Sequence, residues 1–355
     1  MKNKNEVFNR AITWINNYTI GGNGITVTSK ELCIYPEVTG YYIPSLLQWG
    51  ECDLAIAYAR YLCSIQKDDG SWYDSGNVAP YVFDSAQILK GLLAIRNIIP
   101  EVDEHIIKGC DWILSNMQSD GRLTTPCKDA WGANEDYCSE LIHIYCLSPI
   151  REAGHIFNKS EYLEGVNKIL KYYKENKLDR IKNFSLLSHF YAYVMEGLYD
   201  LGEIELCRES MERLEKYRTS KGAIPGLKDV PWICSTGCFQ LAVVWYKLGE
   251  LEKGNSLFYY AISLQNKSGG WYGSYPAPGF VANFYRGRKR PYYFPDAEIS
   301  WAVKYFLDAL ALKEKLEFSS ISPDYMYNVT ENDGQYYLIK KLIEADEMQR
   351  RGYHR

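Results

Sequence analysis

Three copies of a glutamine-then-glycine mark constrain this chain more than any other feature. They are Gln66-Lys-Asp-Asp-Gly-Ser-Trp72, Gln118-Ser-Asp-Gly-Arg122 and Gln265-Asn-Lys-Ser-Gly-Gly-Trp271. Each closes a stretch in which apolar residues recur at helical spacing. Gln66 and Gln118 lie 52 residues apart, and Gln118 and Gln265 lie 147 apart, which is three times 49. One mark per helix pair, at a fixed period near fifty, is the signature of a repeat built from helical hairpins.

Apolar periodicity predicts helices at 5–18, 42–49, 51–66, 84–98, 103–118, 136–148, 160–176, 184–201, 203–218, 235–249, 251–265, 296–313 and 335–350. Short gaps alternate with long ones, except near 150–183, and the short gaps suit tight hairpins. Five hairpins follow directly. A sixth forms if the unpartnered helix at 5–18 packs against the one at 296–313, and the ring then closes. The expected fold is all-α, an (α/α)6 toroid spanning 1–314 with inner and outer helical barrels, followed by a linker and charged helical appendage at 315–355. Every long loop leads from an outer helix into an inner one, so the long loops gather on one face. That face also carries the positive N-terminal ends of the inner helices.

The net charge of −4 provides no field to recruit nucleic acid. No apolar run is long enough to span a bilayer, and Met1–Arg10 lacks the apolar core of a secretory signal. Ten cysteines without Cys-x-x-Cys spacing suit a reduced, cytoplasmic protein. The 31 tyrosines, 12 phenylalanines and 9 tryptophans exceed what core filling alone asks for, and such rings also line sugar-binding clefts. Gly-x-Ser-x-Gly, Walker and Rossmann motifs are absent, which removes support for serine acyl transfer, nucleotide hydrolysis and dinucleotide redox chemistry.

The Gln-x-x-Asp-Gly-x-Trp marks resemble those of α/α-toroid proteins: squalene–hopene-type cyclases, protein prenyltransferase β-subunits, and six-hairpin glycosidases with related lyases and epimerases. Tyr35-Pro-Glu-Val-Thr-Gly-Tyr-Tyr-Ile-Pro44, Val82-Phe-Asp-Ser-Ala-Gln87, Gly273-Ser-Tyr-Pro276 and Trp301–Leu310 resemble more closely a bacterial toroid family associated with surface-polysaccharide gene clusters. The resemblance implies the toroid and a saccharide-handling cavity over residues 30–312, and it leaves the reaction open. The Asp-x-Asp-Asp acid of class II cyclases is missing. Asp136-Tyr-Cys138 has prenyltransferase zinc-ligand spacing, with His143 or His189 as a third donor, but an N-cap aspartate followed by a buried cysteine accounts for it equally simply. No metal or cofactor is expected.

Glu37 and Asp84 stand at the starts of the first two inner helices, beside Tyr35 and Tyr41. They offer the paired carboxylates that glycoside hydrolysis uses, although each also suits helix capping. His189, next to Tyr191 and Tyr193, is a candidate base for abstracting a sugar C5 proton; the alternative is a hydrogen-bonded core histidine. Trp232, Trp271, Tyr275 and Tyr293 are candidate stacking platforms. Arg286 and Arg288 are candidate clamps for an acidic group. The expected ligand is a saccharide or glycoconjugate, anionic in character, processed by hydrolysis, elimination or epimerisation. An isoprenoid-handling enzyme and a non-catalytic glycan-binding subunit remain alternatives.

Overall fold

In the computed structural model of the chain, the described residues are 3–126, 140–277, 293–319 and 337–351. An inner barrel is built from α2 (Pro36–Gln48), α4 (Val82–Ile95), a 3-10 segment (Glu140–Cys146) continuing into α6 (Leu147–Ile156), α9 (Ser188–Asp200), α11 (Ser235–Lys247) and α13 (Ser300–Ser319). Around it lie α1 (Lys4–Tyr18), α3 (Cys52–Ile65), α5 (Val102–Ser115), α7 (Ser160–Asn176), α10 (Ile204–Leu214) and α12 (Leu251–Ser263), with a short α8 (Leu178–Lys182) between α7 and α9. Successive inner helices pack side by side, α13 packs on α2, and α1 packs on α13, so the (α/α)6 ring closes through the pairing expected from the sequence. A final helix, α14 (Tyr337–Arg351), docks on α2 and α13 through Leu338, Ile339, Leu342 and Ala345.

Composition explains which helices go inside. All of α4 is buried except Lys90 and Ala94, and all of α11 except Lys247. Helices apolar on every side can only be interior. By contrast α10 buries only Cys207, Ser210, Met211 and Leu214, a single stripe. Among the described residues no helix is long and apolar enough to cross a membrane, and the eight described cysteines are free thiols.

The glycine marks are turns that lock each outer helix to the next. In the turn at Lys67–Ser71, the Gly70 N–H donates to the Lys67 carbonyl and the Lys67 N–H to the Ser71 carbonyl. Gly70 has φ +91°, and a Cβ there would lie 2.2 Å from the Lys108 carbonyl oxygen of α5. Gln66 donates from Nε2 to the Gly70 carbonyl at 3.0 Å and to the His105 carbonyl at 3.0 Å. Gln265 repeats this on the Gly269 and Val7 carbonyls, at 3.0 and 2.9 Å. The same backbone pattern recurs at Gln118–Arg122 and at Thr219–Ala223. Thr219–Ala223 is a fourth mark that carries no glutamine: Arg218 takes its place, donating to the Gly222 carbonyl at 2.7 Å and the Lys253 carbonyl at 3.5 Å. Met117 holds the equivalent position in the second mark, so Gln118 is one residue out of register with Gln66 and Gln265.

Two element boundaries differ from expectation in ways that matter for the site. The first inner helix begins at Pro36 rather than at 42, because proline's fixed φ and missing N–H suit the first helical position. Glu37 therefore lies within the first turn of α2. The third inner element runs to Ile156, eight residues beyond the expected end at 148, which resolves the break in the hairpin alternation; residues 127–139 lie outside those described.

The long loops collect over the N-terminal end of the inner barrel and are stitched together there. β1 (Thr19–Ile20) pairs with β2 (Gly24–Ile25), and β3 (Trp232–Cys234) pairs antiparallel with β4 (Ser274–Pro276). Thr28 bridges to Ile299 across the seam where the ring closes.

Candidate active site

Two glycines bring the first two inner helices close enough to juxtapose their first turns. A Cβ on Gly40 would lie 2.5 Å from Ile88 Cα, and one on Gly91 would lie 2.2 Å from the Gly40 carbonyl oxygen. This close crossing sets Glu37 of α2 beside Asp84 of α4. Both are buried, at 7% and 3% exposure. Neither occupies an N-cap position: Tyr35 and Tyr81 do, and neither makes a side-chain cap bond.

The electrostatics of the pair are governed by burial. A helix N-terminus favours a carboxylate by about 0.3–1 kcal/mol, whereas full burial moves a carboxyl upward by as much as several pKa units. Burial prevails. It raises Asp84 to about 7, offset in part by the Tyr35 hydroxyl that donates to Oδ2 at 3.0 Å and reinforced by Asp74. Burial likewise holds Glu37 well above the usual carboxylate range; the nearby charge of Asp84 adds to this and that of Lys304 opposes it. Both carboxyls are thus shifted toward the protonated form, and charge on Asp84 further disfavours charge on Glu37. Tyr35 stays a neutral donor, its phenol raised by burial and by both acids. The Tyr41 hydroxyl is buried and has no hydrogen-bond partner among the described residues, and the charge of Glu37 acts on it, so it is available to a bound molecule.

His189 lies across the lumen in an aromatic cluster. Its ring is 4.4 Å from Tyr193, 6.3 Å from Tyr293, 5.8 Å from Tyr305, and stacked at 6.2 Å on Trp301. A hydrogen-bond chain fixes its tautomer. Lys247 Nζ lies 3.0 Å from Glu196 Oε1, and Gln240 Nε2 lies 3.1 Å from Glu196 Oε2. Burial pushes Glu196 up, but Lys247, Lys304 and Lys90 overcome it and hold the group at about 2. An ionised carboxylate only accepts, so Gln240 must present its amide N–H to it and its Oε1 to His189. His189 Nδ1, 2.8 Å from that oxygen, is then the donor, and Nε2 keeps its lone pair. Burial lowers the imidazole to about 3, with Gln240 opposing. His189 thus presents a neutral Nε2 acceptor, its basicity lowered by burial, and takes the hydrogen-bonded form that was the alternative to a catalytic base; the raised carboxyls hold the stronger bases.

The stacking candidates separate. Tyr293 belongs to the cluster around His189, packed 6.2 Å from both Phe190 and Trp301. Trp271 does not: it is fully buried, donates Nε1 to the Ala261 carbonyl at 2.8 Å and packs on Phe239 and Phe306. Trp72 makes the equivalent bond to the Leu62 carbonyl, so this tryptophan is part of the repeat mark rather than a platform for sugar. Trp232 is also buried, at 1% exposure, in β3. Tyr275 is half-buried in β4, and its hydroxyl accepts from the Tyr272 N–H and donates to Asn266 Oδ1, bracing the loop. Arg286, Arg288, Asp136 and Cys138 lie outside the described residues. His143 is buried, with Nδ1 donating to the Leu123 carbonyl and its pKa lowered to about 4 by burial.

Several lumen residues escaped the sequence reading. Lys304 is 5% exposed, pairs with Asp308 at 2.7 Å and lies 3.9 Å from the Tyr305 ring centroid. Lys90, Glu196, Gln240, Tyr145 and Tyr305 also face the interior. Their signal was present: each of Lys90, Glu196, Gln240 and Lys304 is a polar residue in a helix that is otherwise interior.

No family model matches the chain, and no curated protein matches it. Solved structures do. An unsaturated glucuronyl hydrolase specific for heparin superposes with a TM-score of 0.65 at 12% identity, over 88% of this chain and 97% of that one. A polysaccharide lyase gives 0.60 at 12% identity, over 90% and 99%. A type II terpene cyclase from Scytonema, in complex with geranylgeranyl dihydroxybenzoate, gives 0.57 at 11% identity, over 88% and 97%. At these identities the likeness concerns architecture. The chain has the α/α-toroid fold, which in those three proteins hosts a hydrolase, a lyase and a cyclase.

Proposed function

We propose that this chain is a carbohydrate-active enzyme that hydrolyses an acidic saccharide, with Glu37 and Asp84 as its acid/base pair. The carrying observation is the pair itself: two buried carboxyls in the first turns of adjacent inner helices, with the charge of Asp84 acting on Glu37 and Asp84 raised to about 7. A group that titrates near the working pH both gives and takes a proton efficiently. In this scheme the protonated carboxyl protonates the leaving oxygen while the other, as carboxylate, activates water or attacks directly. Tyr35 holds Asp84 in place, the Tyr41 hydroxyl and His189 Nε2 orient substrate hydroxyls, and Tyr293 and Trp301 flank the ring. Lys304 supplies positive charge for an acidic group from within the barrel, a role the sequence suggested for Arg286 and Arg288. The weak basicity of His189 favours hydrolysis over routes that start by removing a C5 proton. The physiological setting we assign, cytoplasmic processing of a surface polysaccharide or glycoconjugate, rests on the local motif resemblance and the free thiols.

An aromatic lumen also suits an isoprenoid, but Glu37, Asp84, Lys304 and Glu196 place four ionisable groups on its walls, a polar lining that an apolar ligand does not match. The test is mass spectrometry of an acidic oligosaccharide panel, including chains ending in an unsaturated uronyl residue, after incubation in heavy water. Cleavage with uptake of water is the expected result. An unsaturated new end would mean elimination, deuterium uptake without cleavage would mean epimerisation, and an unchanged panel that still binds would mean a non-catalytic subunit.

A further inference from the structure

The barrel has a second end. At the C-terminal ends of the inner helices, away from Glu37 and Asp84, lies a cavity of ≈ 870 Å³ walled in part by Tyr41, Lys90, Tyr145, Glu196, Lys304 and Asp308. An adjoining cavity of ≈ 480 Å³ shares Glu196 and Asp308 and is bordered by Leu342, Asp346 and Gln349 of α14. Both volumes fall in the range of small-ligand sites, about 300–1,000 Å³. At its wall the Tyr145 and Tyr305 hydroxyls meet at 3.0 Å, and Lys304 lies over the Tyr305 and Tyr41 rings; neither Glu37 nor Asp84 lines the cavity.

Most charges in the chamber are already satisfied. Lys247 bridges Glu196 and Asp200 at 3.0 and 2.8 Å. Lys304 pairs with Asp308, which also accepts from Ser45 at 2.5 Å. Arg151 donates to the Leu201 and Asp200 carbonyls. Lys90 differs. Among the described residues its ammonium has no carboxylate within ion-pair distance and contacts only the Tyr145 ring, 2.7 Å from the centroid. Burial lowers it to about 7 even though Glu196 and Asp200 act to raise it. Lys90 is half-buried, and an ammonium without a carboxylate partner has N–H groups that seek oxygen; this one lines a cavity large enough to supply it.

We propose that this chamber is a second binding site, for a hydroxyl-rich ligand bearing one carboxylate, such as an acidic monosaccharide, seated with the carboxylate on Lys90 and its hydroxyls donating to Glu196 and Asp308. Neither Glu37 nor Asp84 lines this cavity, although Tyr41 and Lys304 border it, so binding through Lys90 is tested separately from catalysis by the acid pair.

The experiment is calorimetric titration of the full chain with sodium D-glucuronate, with glucose as the uncharged control. Three proteins are compared: wild type, Lys90→Met, and the double variant Glu37→Gln/Asp84→Asn. Lys90→Met keeps the side-chain length and removes an unpaired ammonium, so folding is retained and is checked by circular dichroism and melting temperature. The expected result is saturable glucuronate binding to wild type, weakened at least about tenfold in Lys90→Met and unchanged within about twofold in the double variant, with glucose binding more weakly. Equal affinity in wild type and Lys90→Met, loss confined to the double variant, or no saturable binding to wild type would each overturn the proposal. If the double variant abolishes turnover while glucuronate still titrates through Lys90, the two sites are separated; if no turnover exists and Lys90-dependent binding persists, only the catalytic proposal fails.

Discussion

At the scale of single residues, the acid pair makes stability and activity depend on pH in opposite ways. Burial raises Asp84 to about 7 in the folded chain, against 3.8 for an ordinary aspartate. Between roughly pH 4 and 7 the folded chain therefore binds more protons at this site than the unfolded chain, and stability falls as pH rises through that window. The full penalty, at most about 4 kcal/mol, applies above pH 7. Asp84→Asn keeps an oxygen to accept from Tyr35 and removes the ionisation. Its melting temperature is expected to exceed that of wild type at pH 8 and to match it near pH 4; equal melting temperatures at pH 8 would show that the carboxyl is not raised. On activity the same variant, and Glu37→Gln, are each expected to lower turnover by about 10²–10⁴-fold with the fold intact. His189 has its own signature. Nitrogen NMR of wild type is expected to show a neutral ring protonated at Nδ1, and Gln240→Leu to lose that fixed tautomer while the ring stays neutral. Glu37, Asp84 and His189 were legible in the sequence because position at an inner-helix start is a sequence property. Trp271 was misread because a tryptophan after Gly-Gly resembles an exposed loop aromatic, and only the turn geometry shows that it points inward. The proton on His189 depends on partners 51 and 44 positions apart along successive links of a chain, information that local pattern does not hold.

At the scale of elements, the turn marks and the glycine crossing explain how helices acquire their places. The marks were legible as a period, but their register was not, since glutamine is only one solution to a geometric requirement. What the four turns share is a glycine at positive φ against the next outer helix; three of them add a long donor reaching two carbonyls, and Arg218 serves there as Gln66 and Gln265 do, whereas Met117 at the second mark supplies none. Arg218→Gln is accordingly expected to cost less than Arg218→Ala in urea denaturation, because glutamine reproduces the bonds seen at two of the other marks while alanine leaves the turn carbonyls without that partner. The α2–α4 crossing is less forgiving. Gly91→Ala puts a Cβ 2.2 Å from the Gly40 carbonyl in the native geometry, so the helices must separate. Overpacking of this kind costs about 1–3 kcal/mol. Because the crossing also sets Glu37 beside Asp84, the pH–stability slope attributed to the pair is expected to flatten together with the loss of stability. A destabilised variant with an unaltered slope would show that the pair is held by something other than this crossing.

At the scale of the whole molecule, closure is what distinguishes this ring from an open stack of hairpins. An open solenoid unfolds from its ends because terminal repeats lack a neighbour. Here the first outer helix covers the last inner one. Lys4 of α1 pairs with Glu314 of α13, and a second carboxylate gathers several bonds at the start of that inner helix. Glu298 accepts from Trp14 Nε1 at 2.7 Å and from Asn266 Nδ2 at 2.8 Å, and also from Ser268 Oγ. The backbone joins alongside it, with the Ser29 N–H donating to the Glu298 carbonyl and the Ser300 N–H to the Val27 carbonyl. The pairing of first and last helices was legible as a counting argument, two unpartnered helices in an otherwise paired series, whereas the part of Glu298 in it was not, because its donors Trp14 and Asn266 lie 284 and 32 positions away. Glu298→Ala leaves three donors without their acceptor, one of them on a fully buried tryptophan, which is expected to cost about 3 kcal/mol or more. The more specific consequence concerns cooperativity. With the seam weakened, the first and last hairpins become end repeats, and urea unfolding is expected to broaden, with a lower slope than wild type as well as a lower midpoint. A midpoint shift at unchanged slope would mean that the ring unfolds as one unit for reasons that do not depend on this seam.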